Sequence, residues 1–298
     1  MATSKYGHHL PLYRLEQILG EQGCAISRKT LCDWVERIAD LLSPVVAEQK
    51  RQILAAPLVQ SDDTRVPYQE PGTRRGKVAS GFLWSYTRPW AEVVYEFTTS
   101  RSQQEPLKFL AGYRGYLQSD AYAGYNQVLR SPHVHAIGCM AHVRRKFFEA
   151  KAEMPTEAVA ILTAIQSAYR IERQAKEDQV GGAELVALRK QEITPILDRL
   201  QVLFEEMSTR VLPASGMGKA IAYALGQWSA IARYTDVAEA EIDNNSCEQT
   251  MRPAVLGRKN WLFAGSPDGG RRAAVIYSLV VTCRRLGIEP YPYLRDVL

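Results

Sequence analysis

Between residues 10 and 46, apolar residues recur every three or four positions, the period of an amphipathic helix. LPLYRLEQILGEQG predicts one helix, stopped at Gly23. RKTLCDWVERIADLLSPVV predicts a second, capped by Ser27, with Leu31, Trp34, Val35, Ile38 and Leu41 as its apolar stripe. Helix, short glycine-containing turn, helix is the outline of a helix-turn-helix, although a plain helical hairpin is the commoner use of that outline.

After residue 56 the pattern shortens to runs of strand length. APLVQSDDT reads as a buried strand ending in acids. GFLWSYTR and AEVVYEFT are rich in aromatic and β-branched residues, with Pro89 in the short link, and read as a hairpin. SQQEPLKFLAGY reads as a helix closed by Gly112 and Gly115, GYLQSD as a strand ending at Asp120, AYAGYNQVL as a helical crossover and HVHAIGC as another strand. Antiparallel strands followed by strand–helix–strand alternation predict an α/β fold, a mixed sheet with helices on its faces. Residues 140–235 are helical in pattern throughout, punctuated by Gly181-Gly182 and by Pro213 to Gly218. A helix from about Asn245 then carries Glu248, and another runs from about Asp268 to Arg285. The expected organisation is a helical segment over 1–54, the first part of an α/β core over 55–150, a helical insertion over 151–240 and the last part of the core over 241–298.

Composition narrows the class only a little. The apolar fraction of 46% and charged fraction of 23% are ordinary for a globular protein, so fold class has to come from the pattern. A formal charge of +5 permits a nucleic-acid partner without demanding one. The five cysteines are scattered and form no C-x-x-C pair, which argues against a zinc ribbon or a disulfide framework and for a reducing compartment. MATSKYGHHLPLYR has no signal-peptide core, and the most apolar stretch, residues 273–283, is too short to cross a bilayer. A cytoplasmic protein with no membrane partner is expected.

Asp62 and Asp120 each follow an apolar strand-like run, and strand ends are where open α/β sheets place ligands. For either Asp alone, a turn or cap is the simpler reading. Glu248 falls near the start of a helix that Asp243 or Asn244 can cap, and an i, i+4 pair with Arg252, worth about 0.2–0.5 kcal/mol, is the plainer alternative. Together the three acids suit phosphodiester transfer, which needs the attacking and leaving oxygens stabilised by two magnesium ions about 3.5–4 Å apart. Magnesium takes hard oxygen ligands, and a few carboxylates suffice to hold it.

SDDT, LQSDAYAGY, CMAHVRRKFFEA and EIDNNSCEQTMRPAVLGRKNWLFAGS, in that order, resemble the IS-sixty-six family of bacterial insertion-sequence transposases. SKYGHHLPLYR and ISRKTLCDWV are similar to that family's upstream helical region, so the resemblance covers nearly the whole chain. It implies a ribonuclease-H-like mixed sheet with an inserted all-helical region, behind an N-terminal helix-turn-helix-like segment. It implies a DDE-type polynucleotidyl transferase that cuts at insertion-sequence ends and joins them to target DNA. Asp62, Asp120 and Glu248 would be its first, second and third acids, holding two Mg2+ ions for which Mn2+ can substitute. Asp63 would be an acidic neighbour and not a ligand; strand alternation agrees that only one of the pair faces a given side. The implied partners are DNA, a second copy of the chain on paired ends, and accessory proteins of the same element. The family's Cys-rich N-terminal segment and zipper-like region do not precede Ser4, and LRDVL stops where the family usually continues for a short tail. A fragment or a truncated element is therefore expected.

Around the acids, Cys139 and His142 form C-x-x-H, read either as a buried thiol with a structural histidine or as placing His142 against the scissile phosphate. Arg144, Arg145, Lys146, Arg252, Arg258 and Lys259 are candidate DNA contacts, within a region (241–285) holding seven basic and four acidic residues. Trp84, Trp261 and Phe263 could stack on unpaired bases, but core positions are the preferred reading. The rival functions are a nuclease of the same fold that cuts without joining, a DNA-binding protein built on the helix-turn-helix, and a non-transposing remnant.

Overall fold

The computed structural model describes residues 1–70, 72 and 77–298. The chain begins with a π-helical turn, Thr3–Gly7, followed by α1 (Leu12–Glu21) and α2 (Arg28–Leu54). Three strands come next, β1 (Leu58–Gln69), β2 (Val78–Thr87) and β3 (Val93–Thr98), then α3 (Gln104–Phe109). β4 (Gly115–Gln118) leads through two 3-10 turns to β5 (Val134–Ile137). A helical series follows: α4 (Met140–Ala150), α5 (Pro155–Glu177), α6 (Gly182–Leu188), α7 (Thr194–Ser208) and α8 (Gly216–Ala232). The chain closes with α9 (Asn245–Trp261), α10 (Pro267–Arg285) and α11 (Pro290–Val297). The fold is mixed α/β, with strand order β3-β2-β1-β4-β5. No helix among the described residues is long and apolar enough to cross a membrane; residues 273–283 lie inside α10 and are mostly buried.

The local signals work as their chemistry requires. The Ser27 side chain accepts the Thr30 N–H and caps α2. At the end of α1, Gly23 adopts φ +82°, and the Cys24 N–H reaches back to the Leu19 carbonyl at 2.8 Å, a Schellman closure. α2 runs further than its apolar run suggests, through Pro44 to Leu54. Its buried face is Leu31, Val35, Ala39, Leu42, Val46 and Ile53, whereas Trp34 and Leu41 are exposed. Both faces of α2 carry apolar residues at helical spacing, so spacing alone does not select between them.

Two compact units divide the chain. One comprises Met1–Gly115, Ala123–Ser131 and Ser246–Leu298; the other comprises Tyr116–Tyr122 and Pro132–Asn245. In the first, β1, β2 and β3 pair antiparallel, with Asp62 opposite Ser85 and Ser85 opposite Tyr95. β1 does not end at its acids. It continues to Gln69, because Arg65 to Gln69 pair with Phe82 to Val78 of β2. Asp62 therefore lies inside a strand and not at its end.

α10 packs along β3. Its Ser278 hydroxyl accepts the Tyr95 N–H at 2.9 Å, and the Thr282 hydroxyl accepts the Val93 N–H at 3.0 Å. Gly270 permits the close approach, since a Cβ there would sit 2.6 Å from the Phe97 ring. In the second unit, Phe147 stacks on Phe204 (4.9 Å between centroids), and Phe204 meets Trp228 edge-on, knitting α4, α7 and α8 together. Buried Arg189 is satisfied on all sides. It pairs with both Glu172 oxygens (2.8 and 2.9 Å) and donates to the Val237 and Ala240 carbonyls, which holds the loop leading to Asp243.

Ser278→Ala and Thr282→Val each strand a buried strand N–H without an acceptor. Each is expected to lower the urea unfolding free energy by about 1–3 kcal/mol. A change within error in both variants would show that β3 does not depend on these hydroxyls.

Candidate active site

Side chains alternate along a strand, so the pairing register sorts the first unit's sheet into two faces. Asp62, Ser85 and Tyr95 share one face; Asp63, Trp84 and Glu96 share the other. α9 covers the first. The Ser85 hydroxyl lies 2.7 Å from the Thr250 hydroxyl and 3.3 Å from the Cys247 sulfur, and the Tyr95 hydroxyl donates to the Thr250 carbonyl. Cys247 is fully buried at this contact. Burial pushes its thiol pKa up, the negative charge of Asp62 pushes it further and Glu248 adds to it, against the Ser85 hydrogen bond and Arg285. Asp62 and Glu248, far apart in sequence, are thus within electrostatic reach of one sulfur. Both are half-buried, and Glu248 occupies the first turn of α9.

Asp63 has a different occupation. The Arg101 guanidinium grips it, with Nε 3.1 and 2.9 Å from the two carboxylate oxygens and Nη2 at 2.9 Å. On the same face the Trp84 indole donates to the Thr98 hydroxyl at 2.9 Å and meets the Tyr125 ring edge-on, while the Tyr125 hydroxyl pairs with Ser61 at 2.8 Å. Trp84 is core, as expected from sequence. Trp261 is half-buried and Phe263 is exposed, so the core reading fails for Phe263.

In the second unit, Asp120 lies two residues beyond β4 and is half-buried. Its Oδ1 accepts the Tyr122 N–H at 3.1 Å across Ala121, which is held at φ +64°. A non-glycine residue in the left-handed region is strained, and such strain concentrates at functional sites. The Tyr223 hydroxyl donates to the Asp120 carbonyl at 3.4 Å. Its pKa is pushed up to about 12 by burial first and by the charges of Cys139 and Asp120, with Arg145 opposing. Asp243 organises the segment before α9: it accepts the Asn245 N–H at 3.0 Å, the Asn245 amide at 2.8 Å and the Tyr169 hydroxyl at 2.8 Å. Cys139 is buried and its sulfur accepts the Asn244 N–H at 3.3 Å, while His142 is half-buried on the first turn of α4.

The basic residues divide by duty. Arg144, Arg145, Arg252 and Lys259 are exposed. Lys146 is half-buried, its ammonium 4.7 Å from the centre of the Tyr223 ring. Arg258 donates to the Arg65 carbonyl, tying α9 to β1. Arg271 pairs with Asp268, Arg272 with Glu36, Arg284 with the Gly7 carbonyl and Arg285 with the Ala91 and Ser246 carbonyls. Sequence reasoning did not single out Arg101 as the partner of Asp63, nor the Ser85–Cys247–Thr250 cluster. The only sequence signal for the cluster is the i, i+3 spacing of Cys247 and Thr250 on α9.

The sequence model of the Transposase IS66 family matches residues 1–272. The chain is 34% identical over 317 aligned positions to the "Uncharacterized protein y4jD" of Sinorhizobium fredii (strain NBRC 101917 / NGR234), with all of this chain and 60% of that protein covered. It is 31% identical to "Uncharacterized protein y4qI" of the same strain, with all of this chain and 58% of that protein covered. The chain thus spans about three fifths of the length of these curated relatives.

The buried setting of Cys247 has a direct readout. Cys24 and Cys32 are exposed, while Cys139, Cys247 and Cys283 are buried. A thiol reagent applied to the native chain is expected to modify the exposed pair promptly and the other three only on unfolding. Rapid labelling of Cys247, located by peptide mapping, would show that α9 does not seal the Asp62 face.

Proposed function

The chain belongs to the Transposase IS66 family, and from that premise we propose that it is the catalytic region of a DDE-type transposase acting on DNA. The observation that carries the reading is that α9, whose first turn bears Glu248, covers the sheet face that bears Asp62, with both acids within electrostatic reach of Cys247 and Asp63 held by Arg101 on the other face. Asp120 completes the set by the chemistry of the reaction and by the family's order of acids. Its local structure supports a functional role, because its side chain stabilises a strained turn. The mixed sheet supports a ribonuclease-H-like core, with residues 151–240 as its helical insertion.

The donor set fits the metal such a reaction uses: three carboxylates offer hard oxygen atoms, which magnesium prefers to thiol or imidazole. Two bound magnesium ions would supply the charge that stabilises the attacking and leaving oxygens of an in-line displacement. The protein's own groups do the rest. Asp62 is fixed by strand pairing with Ser85 and by accepting the Asp63 N–H at 2.8 Å, so its carboxylate is oriented before substrate arrives. Glu248 is held by the first turn of α9, which Cys247 and Thr250 anchor to Ser85. In the first step, water oxygen bonds to the end phosphorus as the bond to the 3′ oxygen breaks, leaving a 3′-hydroxyl. In the second, that hydroxyl bonds to a target phosphorus and displaces a target 3′ oxygen, so one phosphodiester is made for one broken. Arg144, Arg145, Arg252 and Lys259 are suited to phosphate contact, with Lys146, Arg258 and His142 nearer the scaffold. DNA ends, a target duplex and a second copy of the chain are the partners that this reaction requires.

Asp62→Asn, Asp120→Asn and Glu248→Gln are each expected to reduce Mg2+-dependent cleavage and strand transfer on labelled end DNA to background, with DNA binding retained. Asp63→Asn is expected to keep activity within about tenfold while losing a half-exposed ion pair worth about 1 kcal/mol or less. Full activity in Asp120→Asn, or loss in Asp63→Asn equal to that in Asp62→Asn, would overturn the assignment. Cleavage without joining would favour a nuclease.

A further inference from the structure

α9 ends at Trp261, and the backbone that follows is strained. The Phe263 N–H donates to the Trp261 carbonyl at 2.7 Å, closing a γ-turn whose central residue, Leu262, is held at φ +64°. A γ-turn of this hand is rare and costly for a residue that carries a Cβ. The fold grips it from both sides. The Leu262 N–H donates to the Arg258 carbonyl at 2.8 Å, and the Lys5 ammonium lies 5.5 Å from the centre of the Trp261 ring. After the turn, the Ala264 N–H donates to the Pro67 carbonyl and the Ala264 carbonyl accepts the Gln69 N–H, both at 2.8 Å. Those two bonds lock the turn to the end of β1.

The side chain at the apex contributes little to packing. Leu262 is 65% exposed, with Phe263 at 37% beside it. An exposed leucine by itself is ordinary. A leucine raised on a strained turn that is fixed at both ends is not, since glycine would relieve the backbone and asparagine tolerates it. Strain of this kind persists where it serves a contact.

Charge identifies the partner. From Gln249 to Pro267 the chain carries Arg252, Arg258 and Lys259 and no acid. Gln249, Arg252, Leu256 and Lys259 recur at helical spacing and are all exposed, so one outward stripe of α9 runs from the turn bearing Glu248 towards Leu262. A polyanion complements that stripe, and an apolar tip beside phosphate contacts fits the step between two stacked base pairs. Leu262 follows Glu248 by a helical length of about 21 Å. That spans about six base pairs of a duplex lying along α9.

We propose that Leu262, backed by Phe263, is a wedge that enters between two base pairs of the bound duplex and bends it, about six base pairs from the bond that is cut. The place of that bond rests on the transposase reading; the wedge itself rests on the turn and its charge. Opening a base step costs least where pairing is already broken, so the chain discriminates between sound and weakened duplexes.

The test measures binding of the full chain, without Mg2+, to a fully paired duplex and to the same duplex with two adjacent mismatched pairs at its centre, by fluorescence anisotropy at one salt concentration. The mismatched duplex is expected to bind about tenfold tighter. Leu262→Asn is expected to lower that ratio to about twofold or less with no fall in Tm, and Leu262→Phe to keep it. Equal binding of the two duplexes by the native chain, binding of neither, or an undiminished ratio in Leu262→Asn overturns the wedge. An undiminished ratio with a change of oligomeric state would mark the turn as a contact between protein chains instead. A lower Tm in both Leu262→Asn and Leu262→Gly makes the leucine a packing residue and overturns the wedge as well. Mg2+-dependent cleavage of labelled end DNA is read separately. A mismatch preference without cleavage sustains the wedge and removes the catalytic reading, and cleavage without the preference does the reverse.

Discussion

The first unit depends on how the outer strand β3 is satisfied. Its Val93 and Tyr95 N–H groups point away from β2, and an exposed strand edge invites pairing with other chains. Here Thr282 and Ser278 of α10 take those N–H groups, so a helix does the work of a further strand. That contact fixes the position of α10, and α10 then fixes much else. Arg285 holds the start of α9 through the Ser246 carbonyl, Arg284 holds the N-terminal turn through the Gly7 carbonyl, and Arg272 holds α2 through Glu36. β3 secures the other side of α9, where the Tyr95 hydroxyl donates to the Thr250 carbonyl. Glu248 reaches the neighbourhood of Asp62 because α9 is clamped from both sides.

Much of this was legible in the sequence, and the exceptions have identifiable causes. The Ser27 cap, the Gly23 stop, the three antiparallel strands, the helical stretch after residue 140 and the helix carrying Glu248 all follow from local chemistry, which acts over a few residues. The end of β1 was misplaced because two acids in a row look like a terminus. What keeps the strand going is pairing with β2, a contact that no window around Asp62 contains. The buried face of α2 was misassigned for a related reason: Trp34 and Leu41 fit the period, and only the tertiary neighbours of Leu31, Val35 and Ala39 decide which stripe is covered. Within the candidate site, alternation could say that Asp62 and Asp63 face opposite ways. It could not say which face α9 covers or that Arg101 waits on the other.

The presence of two acids, Asp62 and Glu248, within electrostatic reach of a buried thiol is a physical constraint in its own right. Two carboxylates raise the cost of any further negative charge near them, and the Cys247 thiol within their reach is kept neutral by burial first and by those same charges. Cys247 packs as a small apolar group and carries α9 onto Ser85.

Charge counting would assign the whole region after residue 241 to DNA, and the structure refines that view. An arginine bonded to a backbone carbonyl keeps its positive charge and still contributes to the field that draws a polyanion in. It has spent part of its donor fork, however, and its position is set by the fold instead of by phosphate. Arg258, Arg284 and Arg285 are of this kind, and Arg271 and Arg272 are partly neutralised by Asp268 and Glu36. Arg252 and Lys259, exposed on α9 beyond Glu248, keep their donors turned outward. The arginines that the fold fixes and the basic side chains that it leaves exposed are therefore different residues. The first group helps to hold α9 and α10 in place, and the second includes Arg144 and Arg145 on α4 and Arg252 and Lys259 on the same helix as Glu248.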